Sequence, residues 1–317
     1  MSNDPKISVV IPVYNERESL QPFWNDLKVI LKDQREPYEI IFVDDGSNDG
    51  SIEMLKALSK ADPRIRVIRL RRHAGQTGAL TAGFRHTRGQ VVVTLDADGQ
   101  NDPEDIPKLL AELQKGYDLV SGWRRHRQDK WFRGVLSQMA NRILTSMTGV
   151  PLHDFGCTLK AYRREALEGI TPYGDMHRIL PAYLAALGCC IGEMEVNHRP
   201  RIFGRSKYGA GRTFRVLLDI IAVSFVLRYS GTPIRAFGGI GLACMVFGAA
   251  VGLWVSIRAI FFGGIWVSPL ILITMVLTVA GIQFIALGLL GEMLLWMRAT
   301  DPRGKTTLVE ELEHAKD

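Results

Sequence analysis

Short β-branched runs alternate with stretches of helical spacing through the first hundred residues of the chain. Ile7 to Val13, Ile40 to Val43, Arg66 to Leu70 and Val91 to Leu95 read as strands, each breaking into polar, loop-forming residues. Between them Ser19 is placed to cap a helix running through Leu31, Ile52 to Ser59 has helical spacing, and Thr77 to Arg85 reads as a third helix. Strands alternating with helices predict an α/β domain built on a mostly parallel sheet. Ligands of such sheets gather at the carboxyl ends of the strands. Asn15-Glu16, Asp44-Asp45 and Asp96-Ala97-Asp98 all fall there, which solubility alone does not explain.

The pattern changes beyond Arg235. Ala236 to Ile257 carries no charge and, at about 22 residues, is long enough to cross a hydrocarbon core. Ala259 to Gly291 has no ionisable side chain either, with Gln283 as a polar interruption and Pro269 as a natural start for a second helix. Two spans joined by a short turn are predicted; a pair of buried helices in a soluble core is the alternative, but such helices normally keep a polar face. Ahead of them, Thr213 to Leu227 sets Phe214, Leu217, Leu218, Ile221 and Phe225 beside Arg215, Asp219 and Arg228, the pattern of a helix lying at a membrane interface. The expected organisation is a soluble α/β domain over 1–210, an interfacial helix over 211–230, a transmembrane hairpin over 231–298 and a tail over 299–317.

Basic residues set the orientation. Arg212, Arg215, Arg228 and Arg235 precede the first span and Arg298, Arg303 and Lys305 follow the second, while Phe261 to Ser268 between them is uncharged. The soluble domain and both termini are therefore expected in the cytoplasm, on an inner-membrane protein. The apolar stretch Ile7 to Val13 is short and broken by Pro12, so it does not read as a signal peptide. The net charge of +6 is assigned in part to attraction for anionic lipid. No interleaving of basic and aromatic residues suggests a nucleic-acid groove. Cys157, Cys189, Cys190 and Cys244 lack metal-type spacing and are expected to be reduced thiols, and the seven histidines form no ligand cluster.

Asp96 and Asp98 emerge together where a buried strand ends. Hard cations such as Mg²⁺ or Mn²⁺ bind through one or two carboxylates together with substrate phosphates, so the pair suits a diphosphate substrate. Asp-x-Asp also occurs by chance in surface loops. The surrounding motifs decide between the two. Ser8-Val-Val-Ile-Pro-Val-Tyr-Asn-Glu16, Val43-Asp-Asp-Gly-Ser-Asn-Asp-Gly-Ser51 and Asp96-Ala-Asp-Gly-Gln100 together resemble the inverting family 2 glycosyltransferases of GT-A fold. Gly122-Trp-Arg, Trp131-Phe-Arg133, the run from His153 to Arg163 and Arg201-Ile-Phe-Gly-Arg-Ser-Lys207 resemble the polyprenyl-phosphate branch of that family, which includes dolichol-phosphate mannose synthases and undecaprenyl-phosphate glucosyl- and formamidoarabinosyl-transferases. Gly231-Thr-Pro-Ile-Arg235 and Gly288-Leu-Leu-Gly-Glu292 extend the likeness to the two spans.

The resemblance implies a division of labour that the chemistry of the side chains supports. Pro12, Tyr14, Glu16, Asp44, Asp45 and Gln76 would bound the nucleotide-sugar pocket, although Asp44 and Asp45 also suit a turn. Asp96, Asp98 and Gln100 would hold the metal against the donor diphosphate. Arg201, Arg205 and Lys207 would clamp the same phosphates, a solvated basic stretch being the alternative. Arg124, Arg133 and Ser137 would grip the acceptor phosphate, since guanidinium pairs with phosphate through two parallel hydrogen bonds. Asp98 and Asp154 would be catalytic.

The expected reaction is transfer of one sugar from a nucleotide diphosphate sugar to polyprenyl phosphate, undecaprenyl phosphate in bacteria, with inversion. A UDP-sugar is favoured and GDP-mannose stays open. A processive polysaccharide synthase is a rival, against which stand the absent Gln-x-x-Arg-Trp signature and a count of only two spans. A non-catalytic sugar-nucleotide or lipid-carrier module is another, against which stand Asp96, Asp98 and Asp154. Gly248 and Gly252 have the small-xxx-small spacing that lets transmembrane helices approach, and a homo-oligomer stays open.

Overall fold

The computed structural model describes residues 4–34, 36–125, 145, 149–170, 172, 174, 176–200, 232–262 and 269–299. The chain divides into two compact units, Met1–Leu227 and Arg228–Asp317.

The first unit is built on a sheet whose strands, in chain order, are β1 (Ile7–Val13), β2 (Tyr38–Asp44), β3 (Ile65–Arg69), β4 (Val91–Thr94), β5 (Leu119–Trp123), β6 (Lys160–Arg163) and β7 (Ile191–Glu195). Their spatial order is β3-β2-β1-β4-β6-β5-β7. β6 runs antiparallel to both its neighbours, β4 and β5, and the other described pairs are parallel. The mostly parallel sheet expected from the sequence is thus present.

Helices cover both faces, and this is why β1 and β2 are apolar at consecutive rather than alternate positions. Ile7, Val9, Ile11 and Val13 pack with Ile40 and Phe42 against Leu20, Phe23, Trp24, Leu27 and Leu31 of α1 (Arg17–Lys32). Val10, Ile41 and Val43 point the other way, onto Ala79 and Leu80 of α3 (Gly75–Phe84). α3 lies so close to the sheet that a Cβ added at Gly83 would collide with Val10. α2 (Ser51–Ala61) and α4 (Ile106–Leu113) complete the first face, the latter preceded by a tight helical turn at Pro103–Asp105. α5 (Arg164–Leu167) and α6 (Leu180–Ala186) flank β6 and β7.

Ser19 is not the cap of α1. The helix begins at Arg17 with Glu16 in the capping position, and the Ser19 hydroxyl reaches back to donate to the Glu16 carbonyl and carboxylate at 3.0 and 2.9 Å. The start is fixed by the neighbouring loop: the Asn15, Glu16 and Arg17 amides donate to Ser47 Oγ, Ser51 Oγ and Asp49 Oδ2, each at 3.0 Å. Asn15 adopts φ +53° to allow this, one of the few side chains that tolerates that region.

The second unit comprises α7 (Pro233–Phe262) and α8 (Pro269–Ala299). Both are long and apolar enough to cross a membrane, and Pro269 opens the second as expected. Leu242, Phe247, Leu253 and Trp254 of α7 and Met275, Val279, Leu289 and Leu290 of α8 are exposed, the reverse of a soluble core. The two helices meet along glycines. A Cβ at Gly241 would lie 2.7 Å from the Gly281 carbonyl, one at Gly281 equally near the Gly241 carbonyl, and those at Gly248 and Gly252 3.2 and 3.0 Å from Leu277 and Thr274. The small-residue spacing that left a homo-oligomer open is therefore used inside the hairpin. At its other end Gly288 and Gly291 abut Ile234 and Pro233, and the Glu292 carboxylate accepts from the Ile234 amide at the start of α7 (3.5 Å).

Candidate active site

The strand ends expected to carry chemistry converge on one edge of the sheet. At the end of β2 the carboxylate of Asp44 is fully buried; one oxygen accepts from the Ser47 amide at 3.2 Å and the other faces Arg69 Nε at 3.6 Å without a hydrogen bond. Asp45 accepts from the Ala74 amide at 2.7 Å and lies 2.8 Å from His73 Nδ1. Burial raises its pKa, against the pull of those partners. The His73 ring in turn stacks on Tyr14 at 4.1 Å. Tyr14, Asp45 and His73 thus form one polar and aromatic wall at the ends of β1, β2 and β3. Pro12 and Glu16 stand beside it, half-buried.

Asp96 follows β4. Its carboxylate accepts from Gln76 Nε2 at 2.7 Å and from Thr158 Oγ1 at 2.5 Å, so Gln76, expected in the nucleotide-sugar pocket, reaches Asp96 from α3. Burial and the charge of Asp98 raise its pKa to about 6, with Glu16 adding to the effect and Thr158 and Arg124 opposing it. Asp96 and Asp98, two neighbouring and partly exposed carboxylates at a strand end, have the donor chemistry of a divalent-cation site. No group of three or more His, Cys, Asp or Glu placed to hold a metal occurs among the described residues. The pair therefore suits a cation that completes its shell with substrate phosphates and water. Asp98 accepts from the Gln100 amide at 3.1 Å, and the Gln100 carbonyl accepts from the Arg199 amide at 2.9 Å.

Across β6, at the end of β5, Arg124 grips Asp154 with two bonds, Nε to Oδ2 at 2.7 Å and Nη2 to Oδ1 at 3.0 Å. Burial works against the guanidinium, but Cys157 and Asp154 outweigh it and the pKa of Arg124 is raised. The arginine expected on the acceptor phosphate and the expected catalytic aspartate are thus partners. Glu193 of β7 holds the same loop, accepting from the His153 and Asp154 amides at 2.8 and 3.1 Å. Arg133, Ser137, Arg201, Arg205, Lys207 and the run Thr213 to Leu227 lie outside the described residues.

His73, Thr158, Lys160 and Glu193 were not singled out by the sequence pattern. Thr158 and Lys160 sit inside the run His153 to Arg163, which carried a resemblance without separate roles. His73 and Glu193 belong to no recognisable spacing, and their partners are 28 and about 40 residues away along the chain.

The seven-stranded sheet gathers its acidic loops on one edge, and comparison with known proteins assigns the family. The family profile described as glycosyl transferase family 2 matches residues 8–171, and the chain belongs to that family. It is a glycosyltransferase of GT-A fold. Among curated proteins it is similar to a dodecaprenyl-phosphate galacturonate synthase of Rhizobium johnstonii, 37% identical over 303 residues, covering 92% of this chain and 90% of the relative. Among solved structures it resembles glucosyl-3-phosphoglycerate synthase of Mycobacterium tuberculosis in complex with Mn²⁺ and UDP-glucose, with TM-score 0.55 and 22% identity over 72% of this chain and 82% of that one. The UDP complex of the same enzyme gives TM-score 0.54 and 21% identity over 70% and 80% of the two chains.

Proposed function

We propose that this protein transfers a single sugar from a nucleotide diphosphate sugar to polyprenyl phosphate at the cytoplasmic face of a membrane, with inversion at the anomeric carbon. The observation that carries the reading is the 37% identity to a polyprenyl-phosphate sugar synthase across catalytic unit and apolar hairpin alike. The site is consistent with it. Asp96 and Asp98 offer carboxylates to Mg²⁺ or Mn²⁺, which would neutralise the charge growing on the leaving diphosphate. The Tyr14–His73–Asp45 wall spans the strand ends one to three strands from β4, about 5–14 Å at the usual strand spacing. That is the side on which the nucleoside would extend, and UDP is the favoured nucleotide.

The nucleophile is a phosphate oxygen, which near neutral pH is already largely anionic because a phosphate monoester has its second pKa at about 6. Little proton abstraction is required. Asp154, held in two bonds by Arg124, acts in this reading as the group that aims the arginine at the acceptor rather than as a base. Arg133 and Ser137 are assigned to the same phosphate, and Arg201, Arg205 and Lys207 to the donor diphosphate.

The deciding experiment incubates the detergent-solubilised chain with radiolabelled UDP-galacturonate, UDP-glucose, UDP-N-acetylglucosamine or GDP-mannose, undecaprenyl phosphate and Mn²⁺. One donor is expected to give label in the organic phase, abolished by excess EDTA, with galacturonate the first sugar to test. Nucleotide release without lipid-linked label from any donor would sink the acceptor assignment.

A further inference from the structure

β6 opens with a lysine in the interior of the sheet. Lys160 is only 2% exposed and stands in register between Thr94 of β4 and Ser121 of β5. A buried ammonium is costly unless its protons are satisfied. Here it donates to the carbonyls of Cys157 at 2.5 Å and Phe155 at 3.2 Å. Both belong to the loop 154–158, whose two ends do different work. At one end Asp154 is locked to Arg124; at the other Thr158 donates to Asp96 at 2.5 Å while its carbonyl accepts from Thr94 Oγ1 at 2.7 Å. Burial pulls the ammonium down to about 8, with Cys157, Asp154 and Asp96 opposing and Arg124 adding to the fall, so it is charged at neutral pH.

One cation therefore fastens the middle of a segment that reaches the candidate metal ligand with one hand and the acceptor-side ion pair with the other. We infer that Lys160 is a positioning residue that, through the loop 154–158, holds Asp96 in place for the divalent cation and Asp154 in place for Arg124. The inference rests on the metal-assisted transfer proposed above.

Its sign is distinctive. Removing a positive charge near a cation site would, by electrostatics alone, tighten Mn²⁺ binding. Releasing the loop that fixes Asp96 would weaken it. The test measures Mn²⁺ affinity by electron paramagnetic resonance in the full-length protein with UDP present, alongside kcat, donor KM and metal-free UDP affinity, for wild type, Lys160→Met and Lys160→Gln.

In Lys160→Met, Mn²⁺ affinity and kcat should each fall about tenfold or more, the size usual for groups that orient a metal ligand. Metal-free UDP affinity should stay within about twofold, because Asp44, Asp45 and Tyr14 do not depend on the loop. Lys160→Gln keeps an N–H donor without the charge and should recover part of both losses. Unchanged or tighter Mn²⁺ binding in a folded Lys160→Met protein would overturn the inference. So would failure of both variants to fold, which would make the lysine a determinant of the core alone. Absence of lipid-linked product from wild type would overturn the acceptor assignment and leave the Mn²⁺ comparison intact.

Discussion

Asp96 is held where its charge is unwelcome: half-buried, desolvated by its surroundings and beside Asp98, with two neutral donors, Gln76 and Thr158, on its oxygens among the described residues. Its folded pKa of about 6 stands about two units above the ordinary 3.8, so the folded chain binds the proton more tightly than the unfolded one. Stability from this group is fully present below about pH 4 and is lost as pH rises through 6. Above that the ionised carboxylate costs up to about 3 kcal/mol without metal. Asp96→Asn should therefore stabilise the metal-free protein at pH 7.5 by about 1–2 kcal/mol, less than the full amount because one amide hydrogen meets the Gln76 donor unless that side chain flips. Differential scanning fluorimetry should show the gain at pH 7.5 and its disappearance near pH 4. The same variant should lose nearly all transfer activity and the stabilisation that Mn²⁺ gives wild type. A metal-free variant no more stable than wild type at pH 7.5 would show that Asp96 is not strained by its surroundings.

At the level of elements, legibility followed how completely each strand is covered by apolar neighbours. β1 and β2 were plain because both faces are buried, leaving unbroken apolar runs. β5, β6 and β7 were not foreseen: Ser121 and Gly122 break the apolar run of β5 although it is buried, β6 begins and ends in Lys160 and Arg163, and β7 alternates Glu193 and Glu195 with Gly192 and Met194. The charges of β6 and β7 serve the loop around Asp154 and the surface, so residue pattern alone could not separate them from a loop. The acidic loops could be placed from strand ends, whereas the bonds from Gln76 and Thr158 to Asp96 depend on three separate elements meeting. The hairpin was legible from length and hydropathy, and so was the Gly248–Gly252 spacing, but the closer Gly241–Gly281 contact was not, since finding it requires knowing the facing helix. Gly281 faces α7 and Gly239 has nothing within 4 Å of an added Cβ. Gly281→Val should push the helices apart and cost about 1–3 kcal/mol, the usual toll of overpacking, while Gly239→Ala should be silent. Thermal unfolding in detergent micelles, followed by helix circular dichroism, would separate the two; equal behaviour would mean that the glycine seam does not hold the hairpin.

For the whole molecule, the division into two compact units poses the question of what the apolar one contributes. Every described residue assigned to nucleotide, metal or the Asp154–Arg124 pair lies in the first unit. The core of that unit is closed by its own helices, so it has the means to fold without the hairpin. The acceptor in the proposed reaction is different, because a polyprenyl chain resides in the bilayer and its phosphate is reached only at the interface. A chain ended after Tyr229 should then bind UDP and Mn²⁺ within about threefold of the full protein, and transfer sugar to a short-chain, water-soluble isoprenyl phosphate. With undecaprenyl phosphate in vesicles it should lose at least about a hundredfold in rate, the penalty of giving up an interfacial encounter at high effective concentration. The apolar residues between Thr213 and Leu227 make aggregation of such a fragment a hazard, so light scattering should accompany the kinetics. Undiminished transfer to long-chain lipid would show the hairpin to be an anchor without a part in acceptor delivery. Loss of UDP binding as well, in a soluble and folded fragment, would instead place part of the donor site beyond Tyr229.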